Sequence, residues 1–478
     1  MFYGREKQLS DLLALWRKKV SSFVTCRGRR RIGKSTLIEV FAERSDARFI
    51  KIEGLRPSAV IDNAAQLSNF IEQLTAQTGC DDTPPQNWTQ AFIRLDREID
   101  DSRRTVVLLD EVSWMAKYDD TFSGKLKIAW DNHFKKHPRL IFVVCGSVSM
   151  WIKENIIDDG SFYGRRSLDI VVRELELTDC IGFWGKSARR LDRREIIDIL
   201  SVTGGVPKYL EELDPGASAN ANLHRLAFRP KSVLREDFDA MFRDVITRQP
   251  TLAGSVLRAL VSGPKNITEI AATLGLQKNG HFSEALEQLE EAGLVSADEA
   301  KNPATGENAH GCYYRLCDNY SRFYLKYIEP VKAAIDHEDF VLGSLDSLEG
   351  WESVKGLSFE NLVVNNSRSI IEHLGMGGAH VISAAPYRRP GSKNGLRGGV
   401  QVDMLVQTRR SICLVEVKRQ REIGREVIAE MEEKVRLVPH ADNVSVRTAL
   451  VYEGALAPIV EADGYFDAIV PFREILGI

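Results

Sequence analysis

Long apolar runs are missing from this 478-residue sequence. No stretch reaches the roughly 20 residues that span a bilayer, and the opening MFYGREKQLS lacks the apolar core of a signal segment. The expectation is therefore a cytoplasmic protein with no membrane partner. Paired cysteines are missing too. Cys26, Cys80, Cys145, Cys180, Cys312, Cys317 and Cys413 stand singly, with no CxxC pair, which points to reduced, mostly buried thiols. Cys312 and Cys317 have no second pair with which to build a zinc site. Nor does one sign of charge dominate: the formal net charge is -3, so the chain as a whole does not announce a nucleic-acid partner, and local basic patches have to be sought instead.

What is present begins with SFVTCRGRRRIGKSTLIEVF, Ser22 to Phe41. An apolar, β-branched run ends at Cys26. Gly28, Arg29, Arg30, Arg31, Ile32, Gly33, Lys34, Ser35 and Thr36 follow, and then Leu37, Ile38, Val40 and Phe41 recur with helical spacing. Strand, glycine loop and helix in that order offer a phosphate chain inward-pointing backbone N–H groups with a helix N-terminus behind them. The complete G-x-x-x-x-G-K-[ST] pattern sets residues Gly28 to Thr36 around ATP, Lys34 on the β- and γ-phosphates and the Ser35 hydroxyl on a bridging Mg²⁺. A glycine-rich surface loop with a stray lysine leaves the flanking strand and helix unexplained.

Downstream, helix-period and strand-like runs alternate, the pattern of a parallel α/β sheet. Ala47 to Glu53 reads as a strand, Ala59 to Thr78 and Trp88 to Ile99 as amphipathic helices. Thr105 to Leu109 is wholly apolar and ends in Asp110 and Glu111. One carboxylate there holds Mg²⁺ through water and the next polarises the attacking water, which assigns Asp110 to the metal and Glu111 to the base. Taken alone, the same residues are a buried strand with solvated acids at its mouth. The apolar strand Leu140 to Cys145 runs into Gly146 and Ser147. Ser147 thus lies where ligands bind in open sheets, as a γ-phosphate sensor or as the cap of a helix from Met150.

Phe2-Tyr3-Gly4-Arg5-Glu6, the loop GRRRIGKST, the LLDE strand, Gly146-Ser147 before Met150-Trp151, Tyr163-Gly164-Arg165-Arg166 and Gly204-Gly205-Val206-Pro207-Lys208-Tyr209 together resemble the archaeal-type ATPases of the AAA+/STAND division. The resemblance implies an α/β multidomain chain. A parallel-sheet P-loop NTPase core would cover residues 1–175, a helical lid and linker 176–245, a winged-helix domain with an aromatic helix 246–335, and a PD-(D/E)XK nuclease-like α/β domain 345–478. It also implies that FYGRE lies near the adenine, and that Arg165 or Arg166 faces the γ-phosphate from the same subunit or from a neighbour in a homo-oligomer. Lys208 stands where relatives place a lid-borne sensor, often an arginine. The bland readings are arginines on a surface loop and a GGVP turn that ends a helix.

In the middle, Asp214 to Asn222 is small and polar, a boundary signal, and residues 223–249 look helical with mixed charge. Val256 to Val261, Ile267 to Leu274 and Phe282 to Ala292 then follow in quick succession before Gly293-Leu-Val-Ser, the pattern of a helix-turn-helix with a wing. The presumed recognition helix carries Glu284, Glu287, Glu290 and Glu291 against Lys278 alone. Phosphates repel such a helix, which favours an interdomain or partner-facing role over base reading. The polar loop Lys301 to His310 is left to touch a backbone as the wing. Tyr313, Tyr314, Tyr320, Phe323, Tyr324 and Tyr327 recur beside Leu316, Leu325 and Ile328, a spacing that favours core packing over base stacking.

Residues 350–478 form a further α/β unit by pattern. Trp351 to Ile371 reads as a helix with Phe359, Leu362 and Val363 on one side and Glu360 beside them. A Gly-, Pro- and Arg-rich loop runs from Pro386 to Gly399. A hairpin follows, Val400 to Gln407 and Ile412 to Lys418. Period two puts Glu416 and Lys418 on one face, where a neighbouring strand brings Asp403 alongside. Two carboxylates suit a hard divalent ion, with Asp403 and Glu416 as its ligands, Lys418 placing a water or stabilising the transition state, and Glu360 as a further ligand or base. A charged hairpin edge is also an ordinary solvated face. From Pro386 to Arg425 there are ten Arg or Lys against three Asp or Glu, a footprint suited to a phosphate backbone. The order E, D, E-x-K is also similar to the nuclease-like domain of the family named above, although Val402 stands where the family name has proline.

The reading is an ATP- and Mg²⁺-dependent switch coupled to a metal-dependent DNA nuclease. Its rival is an ATPase whose C-terminal half binds nucleic acid or a partner without catalysis. A third possibility is a chaperone-like or motor ATPase acting on protein.

Overall fold

The computed structural model describes residues 2–147, 149–246, 248–277, 279–299, 301–305, 307, 312–391 and 398–478. Lys278, residues 306 and 308–310 of the polar loop, and Lys393 and Arg397 of the basic loop lie outside the described residues. Among those described, no helix is long and apolar enough to cross a membrane. The chain divides into two compact units, Met1–Glu174 with Met241–Thr247, and Leu175–Ala240 with Arg248–Ile478.

In the first unit, β1 (Ser22–Arg27), β2 (Arg48–Glu53), β3 (Thr105–Asp110), β4 (Leu140–Gly146) and β5 (Arg166–Val171) form a parallel sheet in the order β2-β3-β4-β1-β5. β3 and β4 are buried along their whole length, as unbroken Val/Leu/Ile runs in a sheet covered on both faces require. Helix α1 (Lys34–Arg44) leaves β1 through the glycine loop. Helices α2 (Asn63–Thr78), α3 (Trp88–Arg97) and α4 (Phe122–Asn132) contribute a core in which Trp88 meets Phe122 edge to face at 4.8 Å. α2 starts at Asn63 rather than Ala59, because the Asp62 side chain accepts the Ala65 N–H at 2.8 Å and fixes the N-terminus there. The sheet order puts β4 between β1 and β3, so the ends of these three strands meet at one edge.

In the second unit, α5 (Arg193–Thr203) and α6 (Val233–Val245), the latter counted with the first unit from Met241 onward, precede three short helices. These are α7 (Pro250–Leu260), α8 (Ile267–Leu274) and α9 (Gly280–Glu291). They accompany a small antiparallel sheet of β6 (Lys265–Asn266), β7 (Val295–Asp298) and β8 (Tyr313–Leu316), in the order β6-β8-β7. Asn266 and Glu269 close a capping box at the start of α8. Tyr320, Phe323, Tyr324 and Tyr327 are buried, so the core-packing reading of the aromatic run holds for these four. Tyr324 stacks on Phe238 at 4.3 Å.

The remainder of that unit is a mixed sheet of β9 (Val381–Arg389), β10 (Val400–Thr408), β11 (Ser411–Ile423), β12 (Ser445–Leu456) and β13 (Ala468–Pro471), in the order β13-β12-β11-β10-β9. β9, β10 and β11 pair antiparallel, and β11, β12 and β13 pair parallel. Helices α10 (Trp351–Asn365) and α11 (Glu426–Leu437) pack on β10 and β11. The helix expected to run unbroken from Trp351 to Ile371 stops at Asn366, whose side-chain amide donates to the Leu362 carbonyl at 2.8 Å, and a second helix resumes over Ser367–His373. An asparagine that bonds back to the preceding turn competes with the helical ladder.

Candidate functional site

The loop between β1 and α1 is built from residues that no other type replaces easily. Gly28 has φ 150°, and a Cβ there would lie 2.3 Å from the Val172 carbonyl oxygen. Gly33 caps α1 in the left-handed region, φ 86°. Ile32 is fully buried and anchors the loop to the core. The Arg5 guanidinium donates to the Ile32 carbonyl at 3.1 Å, so the FYGRE segment braces the loop from outside. Lys34 is only 6% exposed and donates to the Arg29 carbonyl at 3.0 Å. Its ammonium is folded into the loop where phosphate oxygens would otherwise be its acceptors. Thr36 points to solvent.

Three strand ends complete this edge. The Ser35 hydroxyl donates to Asp110 Oδ2 at 2.5 Å, and Asp110 is 5% exposed. Glu111 sits at φ 49°, and its Oε2 accepts from both the Ser147 hydroxyl, at 2.9 Å, and the Ser147 N–H, at 3.0 Å. Burial raises the Glu111 carboxyl above the usual carboxylate range, against the pull of Lys34 and of the Ser147 bonds. Ser147 therefore orients Glu111 in this structure, a partner that neither sequence reading of Ser147 named. A hydroxyl touching a buried carboxylate at the mouth of a glycine loop is a hard-oxygen donor pair, and it fits Mg²⁺.

The arginines are dispersed. Arg29 pairs with Glu174 at 3.7 Å, Arg31 adopts φ 65°, and Arg30 pairs with Asp244. Arg165 donates to Asp131 at 2.8 and 3.0 Å and holds that carboxyl below its usual range. Arg166 pairs in register with Phe23 at the amino end of the sheet, whereas the loop leaves the carboxyl end of β1. The structure thus does not bring Arg165 or Arg166 to the loop of its own chain. Lys208 pairs with Glu212 at 2.7 Å.

Two residues were missed from sequence. Lys51 lies 3.8 Å from Asp110 and 2.9 Å from Glu39. Asp244 binds both Arg30 and Arg56, the latter at 2.6 Å. Neither carries a local signal, since Asp244 is 214 residues from Arg30.

The hairpin carries a second cluster. β10 and β11 register Met404 against Val415, and just beyond that pair Asp403 reaches β11 next to Glu416, at Val417. The pairing of β10 with β9 shifts between Val402 and Leu405. Such bulges re-aim side chains. Asp403 is 8% exposed and accepts the Val417 N–H at 2.9 Å. Burial, then Glu416 and Glu360, push its carboxyl up to about 7, while Lys434 pulls it back. Glu416, 2% exposed, binds Lys418 at 3.1 Å through Oε1 and Lys434 through Oε2. Lys418 also binds Glu430 of α11 at 2.7 Å. Burial disfavours the Lys418 ammonium, yet Glu430 and Glu416 more than offset this and raise it. Burial likewise raises the Glu360 carboxyl, opposed by Arg388 and Arg322. Lys434 was missed from sequence; only the docking of α11 on β11 reveals it.

Among the described residues, no group of three or more His, Cys, Asp or Glu side chains is placed to hold a metal ion. Asp403 and Glu416 offer two carboxylates, the number a Mg²⁺ that keeps most of its water takes, and to that extent the pair fits.

The fold and the loop geometry define the first unit as a P-loop ATPase domain. Residues 2–213 match an ATPase domain found predominantly in Archaea, to which that part of the chain is similar. Over 343 residues the chain is 24% identical to uncharacterized protein MJECL04 of Methanocaldococcus jannaschii, covering 71% of this chain and 72% of that relative. Its fold is similar to that of the Walker-type ATPase PABY2304 of Pyrococcus abyssi, with a TM-score of 0.50 at 15% identity over 68% of this chain and 96% of that one. The ORC2 protein of Aeropyrum pernix, solved as ADPNP–ADP complexes, aligns over 70% of this chain and 94% of its own at 14% identity, with a TM-score of 0.41.

Proposed function

We propose that the chain is an ATP-binding and ATP-hydrolysing switch coupled to a divalent-metal-dependent DNA nuclease in its C-terminal sheet. The match to an archaeal-type ATPase domain supports the first half. The observation that carries the second half is Asp403 bonded to the Val417 N–H, next to Glu416 and its partner Lys418, in a stretch where basic residues exceed acidic ones by seven.

In the ATPase, Ser35 and Asp110 hold Mg²⁺, which neutralises charge on the phosphates. Lys34 exchanges the Arg29 carbonyl for phosphate oxygens. Ser147 fixes Glu111 through Oε2 and leaves Oε1 to take the proton of the attacking water. Residues 176–245 act as the lid. α7 to α9 with the small sheet act as a winged helix whose glutamates face a protein surface rather than DNA. Arg165 and Arg166 serve a neighbouring subunit of a homo-oligomer.

In the nuclease, Asp403 and Glu416 hold the divalent ion, which supplies Lewis acidity toward a scissile phosphate. Lys418, anchored by Glu430, stabilises charge on the phosphate. Glu360 serves as a further base.

A second reading has its own support. Both Glu416 oxygens are already held by lysines, which suits a non-catalytic sheet that binds nucleic acid or a partner.

Incubating supercoiled and linear DNA with Mg²⁺ or Mn²⁺, with and without ATP, separates the two. Metal-dependent cutting by the wild type that disappears in Asp403→Ala establishes the nuclease. Equal cutting by Lys34→Ala and wild type, with or without ATP, removes the coupling. DNA binding that needs no metal and is unaltered in Asp403→Ala, with no product under either ion, establishes the second reading.

A further inference from the structure

Four side chains of the second unit form a chain of alternating charge: Lys434, Glu416, Lys418 and Glu430. The order follows from geometry. Residues two apart on a strand are separated by about 6.6 Å, and residues four apart on a helix by about 6 Å, so the Glu416–Lys418 pair of β11 and the Glu430–Lys434 pair of α11 match when the helix docks. The two lysines then differ. Lys418 binds two carboxylates and stays anchored by Glu430 if Glu416 is withdrawn. Lys434 has Glu416 as its one carboxylate partner among the described residues. Its charge also acts on Asp403. An ammonium in that position does for Glu416 and Asp403 what a divalent cation would do, at the end of a flexible stem that can leave.

We propose that Lys434 is the resident counter-cation of the Asp403–Glu416 pair, competing with a divalent ion for Glu416 and released from it when the ion loads. The inference rests on the metal-binding reading of that pair. It makes Lys434 a positioning residue that sets the ion concentration at which the site fills. The freed ammonium is then available to an anionic phosphate backbone.

The test is a calorimetric titration of the full-length, nucleotide-free chain with Mn²⁺, the C-terminal component being the part lost in Asp403→Asn. Removing the competing charge in Lys434→Met is expected to tighten that component by about tenfold. Lys434→Gln, which keeps a hydrogen-bond donor but no charge, tightens it in the same direction. Lys434→Arg, which keeps the charge, stays within about twofold of wild type. Thermal melts in EDTA identify variants that are not folded, and a melt in Mn²⁺ gives a larger gain in midpoint for Lys434→Met than for wild type. Binding by Lys434→Met where wild type binds nothing also supports the inference. Equal affinity in wild type, Lys434→Met and Lys434→Gln overturns it and leaves the metal site standing. Failure of all three to bind overturns the metal reading and this inference with it.

Discussion

The two carboxylate sites of this chain face the same electrostatic problem and meet it differently. Asp110, in the first unit, touches a neutral hydroxyl at 2.5 Å, and its ammonium partner among the described residues, Lys51, stands off at 3.8 Å. Glu416, in the second unit, is as deeply buried and binds two ammoniums directly. A buried carboxylate whose one ammonium stands off is only partly compensated, and one in direct contact with two lysines is already neutralised. The first site is thus built to be completed by a ligand. The second is complete in itself, and whatever loads it must displace something.

Lys34→Ala breaks the comparison most sharply, because it removes the group that only a ligand would draw out of the loop. ATP turnover is expected to fall by about 10²–10³, measured as phosphate release. Glu111→Gln sharpens the same point: nucleotide binding, followed with a fluorescent analogue, stays near wild type while turnover falls by at least about 10². Equal loss of binding in both variants would mean that Glu111 holds the nucleotide rather than the water.

A smaller effect compares one glycine from each unit. A Cβ on Gly28 meets the Val172 carbonyl oxygen at 2.3 Å, and one on Gly454, at φ 133°, meets the Gln420 carbonyl oxygen at 1.8 Å. Backbone oxygens cannot step aside as a side-chain tip can. Gly28→Ala and Gly454→Ala are each expected to cost about 1–3 kcal/mol, lowering the calorimetric midpoint by about 2–4 °C per kcal/mol. Gly28→Ala should also weaken nucleotide binding, and Gly454→Ala should not. A Gly454→Ala chain that binds nucleotide poorly would mean that strain in the second unit reaches the loop.

The same contrast explains what could be read in advance. The glycine loop, β3 and β4 were legible because each is one contiguous segment whose pattern states its own geometry. That Asp403 lies alongside β11 was legible because a hairpin joins neighbours in sequence. Asp244 beside Arg30, Lys51 beside Asp110, and Lys434 on Glu416 were not legible, because each pairing exists only after a helix or strand distant in sequence has docked. The helix boundaries missed at Asp62 and Asn366 belong to another class. Both are side-chain hydrogen bonds to local backbone, which apolar periodicity does not register.

The smallest predicted effect concerns charge far from either site. In the first unit, the protonated His137 ring donates from Nε2 to Asp96 at 2.9 Å and from Nδ1 to Asp101 at 2.8 Å. Burial disfavours the imidazolium, but the two carboxylates outweigh it and raise the pKa above 6.5. Because the folded state holds this proton more tightly than the unfolded chain, the stabilisation is fully present below the unfolded value and is lost as pH rises through the folded one. The midpoint of the first unit should therefore fall by about 1–3 °C between pH 6 and pH 9 on this account, the scale of a partly exposed ion pair. His137→Gln should flatten that dependence, and 1 M NaCl should reduce it, since salt screens an exposed pair more than a buried one. A slope that survives the substitution would assign the pH dependence to other groups, the raised Glu111 carboxyl among them. That alternative has the same sign, since a carboxyl raised by burial also favours the folded state at low pH through its proton; binding of ATP with Mg²⁺ separates the two, because it would abolish the Glu111 contribution while leaving that of His137 in place.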